Sequence, residues 1–464
     1  MTSATASTSA PAVGSRALLG LAGPILVSQF AVMGLGLIDT VMAGRLSARD
    51  LAAVALGSSI YASIFIGMNG VLQVLTPIAG HHYGAGRWRD IGHTQVQGQW
   101  LAMALSLIGV LALLMPGPWL ALAGADPEVA GITARYLGWI ALGLPAALMT
   151  RVYVGINAAV SRPGVAMAIN LALLAAKVPL NALFLHGGGP LPAMGGAGCA
   201  AASAVLLWVG AALNVLVWRL DPFYQRFRTD ALTPPTWQRQ KEILRLGLPS
   251  GLSLLIEVTS FTFMAILIAR LGAATLAGHH IIANLVSLLF MLPLSLGVAT
   301  SVLVAQSLGA GKPDLARRVA LRGWRIAAAT GLTLAVAVWL GREAIIGAYT
   351  TDAEVARLAL SLMGIAALFH AADALQGCAG QILRGYKIVM LPMLIHSTAL
   401  WGVGLMGGFF LAYRTSLGAQ LGGAQSFWLA ALAGLGLTAI ALSVLAERVS
   451  RDARRTRVQA LPPK

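Results

Sequence analysis

The chain has 464 residues, of which 58% are hydrophobic and only 10% charged, with mean hydropathy +0.79 and a formal net charge of +16. A soluble globular domain carries about 25% charged residues, so this composition excludes one, and the alternating ten-residue segments of a membrane β-barrel are missing. The two cysteines, Cys199 and Cys378, fall in apolar stretches without metal-ligand spacing and read as small packing residues.

Residues 1–16 form a tail rich in Ser, Thr and Ala, without the basic start of a signal peptide. Apolar segments follow at 17–42, 51–79, 95–115, 129–158, 163–185, 197–219, 243–269, 277–304, 318–340, 353–380, 389–412 and 427–447. Each is near the ~20 residues that cross a bilayer as a helix. The first is too long for a signal-peptide core and reads as a retained span. The expected fold class is therefore an all-α integral membrane protein of twelve transmembrane helices.

The one long polar stretch, 220–242, contains Asp221-Pro222 and Pro234-Pro235. It divides the chain into a first lobe at 17–219 and a second at 243–447, followed by a basic tail at 448–464. Of the 32 Lys and Arg, 23 fall in the tails and even-numbered connections and 7 in the odd-numbered ones. With residues near span ends counted in the adjoining connections, only Arg151 and Lys177 are left within spans. This bias predicts that both termini are cytoplasmic. It makes the charge a topology signal and a contact for anionic lipid, with no nucleic-acid partner.

The lobes resemble each other at an offset of 225. Arg45-Leu46 matches Arg270-Leu271, Leu51-Ala52 matches Leu276-Ala277, and Gly84-Ala85-Gly86-Arg87 matches Gly309-Ala310-Gly311-Lys312. Asp126-Pro127-Glu128-Val129-Ala130 matches Asp352-Ala353-Glu354-Val355-Ala356 one residue later. The offset crosses six spans, an even number, so the repeat is parallel, with a substrate path expected between two six-helix lobes. The Gly-Ala-Gly runs lack the Lys-Ser/Thr of a phosphate loop and read as helix C-terminal turns.

Three of the sixteen acidic residues, Asp39, Glu257 and Asp373, sit deep in apolar segments. A carboxylate there costs roughly 2.5–3.5 kcal/mol on insertion scales. Glu257 and Asp373 both belong to the second lobe. Two carboxylates across a dry bundle repel, so at least one takes up a proton or a metal ion. The structural alternative is a pair hydrogen-bonded to Ser, Thr or Gln. Phe369, His370 and Gln376 share the face of Asp373 at helical spacing. The Phe369 ring could face a cation, and His370 could share a proton with Asp373 or simply pack.

The runs Ile38-Asp39-Thr40-Val41-Met42-Ala43-Gly44-Arg45 and Leu51-Ala52-Ala53-Val54-Ala55-Leu56-Gly57 resemble the first two spans of the multidrug and toxic compound extrusion (MATE) family, NorM-like branch. Leu180-Asn181, Glu257-Val258-Thr259, Gln376 and Leu383-Arg384-Gly385-Tyr386-Lys387 are similar to that branch too. The resemblance covers nearly the whole chain. It implies a two-lobe architecture of the MOP superfamily type in a bacterial inner membrane. It further implies export of cationic drugs and dyes in exchange for H⁺ or Na⁺, by a monomer without a cofactor. Glu257 and Asp373 would bind the coupling ion, as a metal site if that ion is Na⁺, and Asp39 would serve ion coupling or cation binding in the first lobe.

Asn157 and Asn181 match polar positions of the family's fourth and fifth spans. Phe369 stands where that branch frequently has tyrosine, which weakens a Na⁺ site using this ring. Lys177 stands where an asparagine is expected. A mid-span lysine cannot readily snorkel, so an internal ion pair with Asp39 is expected; Asp39 could instead balance Arg45. Two other function classes make different demands on the sequence. A lipid-linked precursor flippase calls for a strongly basic central cavity, and a membrane-embedded enzyme calls for a nucleophile–base or metal cluster that no His/Asp/Glu spacing supplies.

Overall fold

Twelve helices long and apolar enough to span a membrane are present among the described residues of a computed structural model, residues 14–460 apart from 189–191, 230–232, 417–419 and 421. They are α1 (Ser15–Leu46), α2 (Ala48–Gly84), α3 (Trp88–Leu114), α4 (Pro127–Ala159), α5 (Pro163–His186) and α6 (Ala197–Leu220). After the linker come α7 (Trp237–Ala269), α8 (Ala273–Gly309), α9 (Pro313–Leu340), α10 (Ala353–Gly385), α11 (Met390–Arg414) and α12 (Gly423–Ala453). The outer parts of both expected tails, residues 1–13 and 461–464, lie outside the described residues.

Local chemistry sets the helix ends. Proline, whose missing N–H costs nothing in a first turn, opens α4, α5 and α9 at Pro127, Pro163 and Pro313. The repeated acidic motif caps helices. Asp126 accepts from the Glu128 amide at 3.0 Å, and Asp352 accepts from the Glu354 and Val355 amides at 2.9 and 3.0 Å. Each cap stabilises its helix by about 1 kcal/mol. Gly86 and Gly311, at φ +69° and +67°, carry the left-handed turns that end α2 and α8.

Three features escape a reading by hydropathy. The second span is broken near Gln73, between Ala48–Leu72 and Leu75–Gly84. Short helices at Pro116–Ala123 and Arg342–Tyr349 precede α4 and α10, the same place in each half. The middle of α11 is π-helical over Thr398–Met406. The Ala399 carbonyl faces Gly434 of α12, where a Cβ would lie 2.6 Å away.

The outward faces are apolar, with Leu107, Leu340 and Ile440 more than half exposed. Lipid is as apolar as leucine, so packing between helices relies on small residues and close approach. Within the halves, α4 packs on α6 and α3, and α10 packs on α8 and α12. Between the halves, α7 packs on the first part of α2, and α8 packs on α1 and the last part of α2.

The repeat is visible in that interface. A Cβ on Gly84 would collide with the Gln306 carbonyl oxygen, and one on Gly309 with that of His81. These are the same two positions with the halves exchanged. Polar contacts cluster nearby. His81 Nε2 lies 2.9 Å from the Gly385 carbonyl oxygen, Gln306 donates to the Ala159 carbonyl at 2.7 Å, and Lys387 pairs with Glu242 at 2.9 Å.

The linker divides the sequence but is held by the first half. Tyr224 and Phe227 are fully buried, and Arg226 stacks over Phe223 at 4.2 Å. Asp221 pairs with Arg162 at 2.5 Å. Its carboxyl is held below the usual range, first by the Phe223 amide and then by the Arg162 guanidinium.

Candidate functional site

The first-half acid is neutralised. Asp39 on α1 is buried, and Lys177 Nζ on α5 lies 2.7 Å from its Oδ1. Lys177 is only 1% exposed. The expected internal ion pair is therefore present, and Arg45 is not the partner. Asn181, one helical turn along α5, donates to Asp39 Oδ1 at 2.8 Å. Ser203 of α6 receives Lys177 at 2.5 Å and donates to Asp39 Oδ2 at 3.2 Å. A buried pair keeps its charges only when further hydrogen bonds satisfy them, and Ser203 supplies those. Sequence reading missed it, because a lone serine in an alanine-rich helix gives no signal.

The second half is arranged differently. Asp373 on α10 is buried, and Glu257 on α7 lies within electrostatic range of it. Gln376 donates to Asp373 Oδ1 at 3.0 Å, as the helical spacing suggested. Among the described residues neither acid has a lysine or arginine within ion-pair distance. The nearest ionisable partner is His396 of α11, with Nε2 3.8 Å from Glu257 Oε2. That nitrogen is buried and has no hydrogen-bond partner. Nothing in the sequence spacing links positions 257 and 396; only the packing of α7 against the start of α11 does so.

Three expectations need correction. Phe369 does not offer its ring to an ion beside Asp373. It packs edge-on against Phe261 and Trp428, with centroids 6.0 and 5.4 Å away, inside the apolar core of the second half. His370 is fully buried with both ring nitrogens unpartnered, so it shares no proton with Asp373. Helical spacing places residues on a common face, but neighbouring helices decide where each side chain turns. Asn157 accepts from Tyr224 of the linker at 2.8 Å and belongs to that anchor rather than to an ion or ligand site.

A cavity of about 140 Å³ lies between the halves, lined from α1, α2, α4, α5, α8 and α10. It contains Arg151 and also Arg384, a residue at the end of α10 that reaches inward instead of to the surface. Arg384 donates to Gln73 Oε1 at 2.9 Å, at the break in α2. Lys177 does not line this cavity, being engaged with Asp39. The polar residues thus form three sets: a neutral pair in the first half, two acids in the second, and two arginines between them. Among the described residues no group of three or more His, Cys, Asp and Glu has the geometry of a metal site.

Comparison with known proteins gives a consistent picture. The MatE family model matches twice, at residues 24–183 and 249–410. A probable multidrug resistance protein NorM of Aromatoleum aromaticum is 38% identical over 431 residues, covering 93% of each chain. A multidrug resistance protein MdtK of Edwardsiella ictaluri is 33% identical over 432 residues, covering 93% of this chain and 94% of that one. The crystal structure of the eukaryotic MATE transporter AtDTX14 superposes with a TM-score of 0.85 at 21% identity, covering 95% of this chain and 98% of the other. At that identity the likeness concerns the fold alone.

Proposed function

This chain belongs to the MatE family, and on that premise we propose that it is a secondary multidrug antiporter exporting organic cations in exchange for H⁺ or Na⁺. It is a multi-pass membrane protein and a transporter rather than an enzyme. The carrying observation is the carboxylate pair Glu257 and Asp373, inside the second half with no lysine or arginine within ion-pair distance among the described residues. Left empty, the pair repels itself; one bound H⁺ or Na⁺ halves its net charge and relieves that repulsion. Occupancy therefore favours whichever arrangement brings the carboxylates together, and a coupling ion and an organic cation compete for the same charge.

The Asp39–Lys177 pair supports placing the coupling in the second half, since a neutralised acid has little left to offer a cation. The first half then acts as a partner surface. The parallel repeat supports alternating access of two lobes, 17–219 and 243–447, about the interface of α2, α7 and α8. The distribution of basic residues supports cytoplasmic termini, and the likeness to bacterial multidrug resistance proteins supports a bacterial inner membrane. The relatives are named for multidrug resistance, and a flippase role is not favoured.

Efflux of a fluorescent cation from proteoliposomes under an imposed Na⁺ or H⁺ gradient tests the reading. Glu257→Gln and Asp373→Asn should each slow gradient-driven efflux by tenfold or more, while the protein remains monodisperse. Wild-type rates in both variants would overturn it.

A further inference from the structure

The two cavity arginines are not explained by cation export. A guanidinium within a membrane span costs roughly 2.5–3.5 kcal/mol on insertion scales. Lys177 meets that cost with a carboxylate. Arg151 does not: among the described residues it has no acid within ion-pair distance, and the Phe65 ring lies 5.4 Å from its guanidinium carbon. Arg384 has only the neutral Gln73 amide oxygen. Both line the same cavity, together with Asn69, Thr76 and Ser301, and no acid among the described residues lines it. Two guanidinium groups facing a shared space repel each other when it is empty and match a planar carboxylate when it is filled.

Arg384 also lies within electrostatic range of Glu257. The positive cavity and the negative pair are therefore neighbouring parts of one interior, and a single solute could reach both. We propose that the cavity is an anion subsite, in which Arg151 and Arg384 receive the carboxylate of an amphoteric organic solute whose cationic end faces Glu257. The cationic half of this assignment rests on the reading of Glu257 and Asp373 given above. A cavity of about 140 Å³ is large enough to take an aryl carboxylate.

Equilibrium binding in neutral detergent, without any gradient, tests the subsite separately from coupling. The probes are rhodamine B, which carries a carboxylate and a cationic ring system, and its ethyl ester, which carries the cation alone. Arg151→Gln and Arg384→Gln should each weaken rhodamine B at least tenfold and leave the ester within twofold, and Arg151→Lys should retain much of the rhodamine B affinity. Unchanged rhodamine B binding, or equal losses for both probes, overturns the proposal. Displacement of rhodamine B by phosphatidylglycerol but not by benzoate assigns the anion to lipid and also overturns it. Glu257→Gln separates the two readings. If it leaves both probes unaffected while the arginine variants lose only rhodamine B, the cation site fails and the anion subsite stands.

Discussion

Replacing Lys177 with alanine would leave Asp39 buried beside only Asn181 and Ser203. Breaking a buried pair from one side typically costs 3–5 kcal/mol, whereas replacing both partners with apolar groups is often neutral. Lys177→Ala should therefore markedly lower the unfolding temperature in detergent, and Lys177→Met with Asp39→Leu should recover most of the loss. Equal destabilisation by the single and double variants would argue against the pair as the source. The presence of this pair was legible from the expense of a mid-span lysine. Its satisfaction by Ser203 was not, and neither was the approach of His396 to Glu257. Both depend on side chains from helices far apart in sequence.

Among the elements, the end of α2 and the end of α8 constrain each other across the interface. Each contributes a glycine, Gly84 or Gly309, on which the other's carbonyl oxygen closes. A Cβ cannot be accommodated there without separating the helices. Gly84→Val should weaken closure on the linker side. A cysteine placed at Thr76, in the cavity, should then react faster with a membrane-impermeant maleimide applied to that side. Unchanged labelling and transport would mean that the contact does not control access. The repeat motif pointed to these glycines as turn residues, and Gly86 and Gly311 fill that role. That Gly84 and Gly309 also make the interface was hidden, because a two-fold contact exists only after the halves meet. The π-helical stretch of α11 was hidden too, since its run of apolar residues reads like any other span.

At the scale of the molecule, the polar contacts joining the halves on the linker side are few. Among the described residues four such links join 17–219 to 243–447: His81 to Gly385, Gln306 to Ala159 and to Ser161, and Arg384 to Gln73. At roughly 0.5–1.5 kcal/mol net for each hydrogen bond, they total a few kcal/mol. Reversing a two-state equilibrium from 1:99 to 99:1 takes about 5.5 kcal/mol, so occupancy of the carboxylates has a comparable lever. Joining Ser161→Cys to Gln306→Cys, a contact that crosses the interface, with a short bis-maleimide should hold the halves together and stop transport, with activity retained in the unlinked double variant. Continued transport after complete cross-linking would show that these ends do not separate.

Composition, charge and motif spacing determined the solvent, the number of spans and the parallel repeat, because hydrophobic length, loop charge and a repeated motif are all read along the chain and need no contacts. The cost of a carboxylate in lipid singled out Asp39, Glu257 and Asp373 for the same reason. Tertiary structure alone decided which acids stay uncompensated. It buried the Phe369 ring in the core, brought His396 to Glu257 and turned Arg384 inward to share a cavity with Arg151. Those outcomes follow from how helices rotate against one another, and that rotation is set by packing across the interface, which no segment of the sequence encodes by itself.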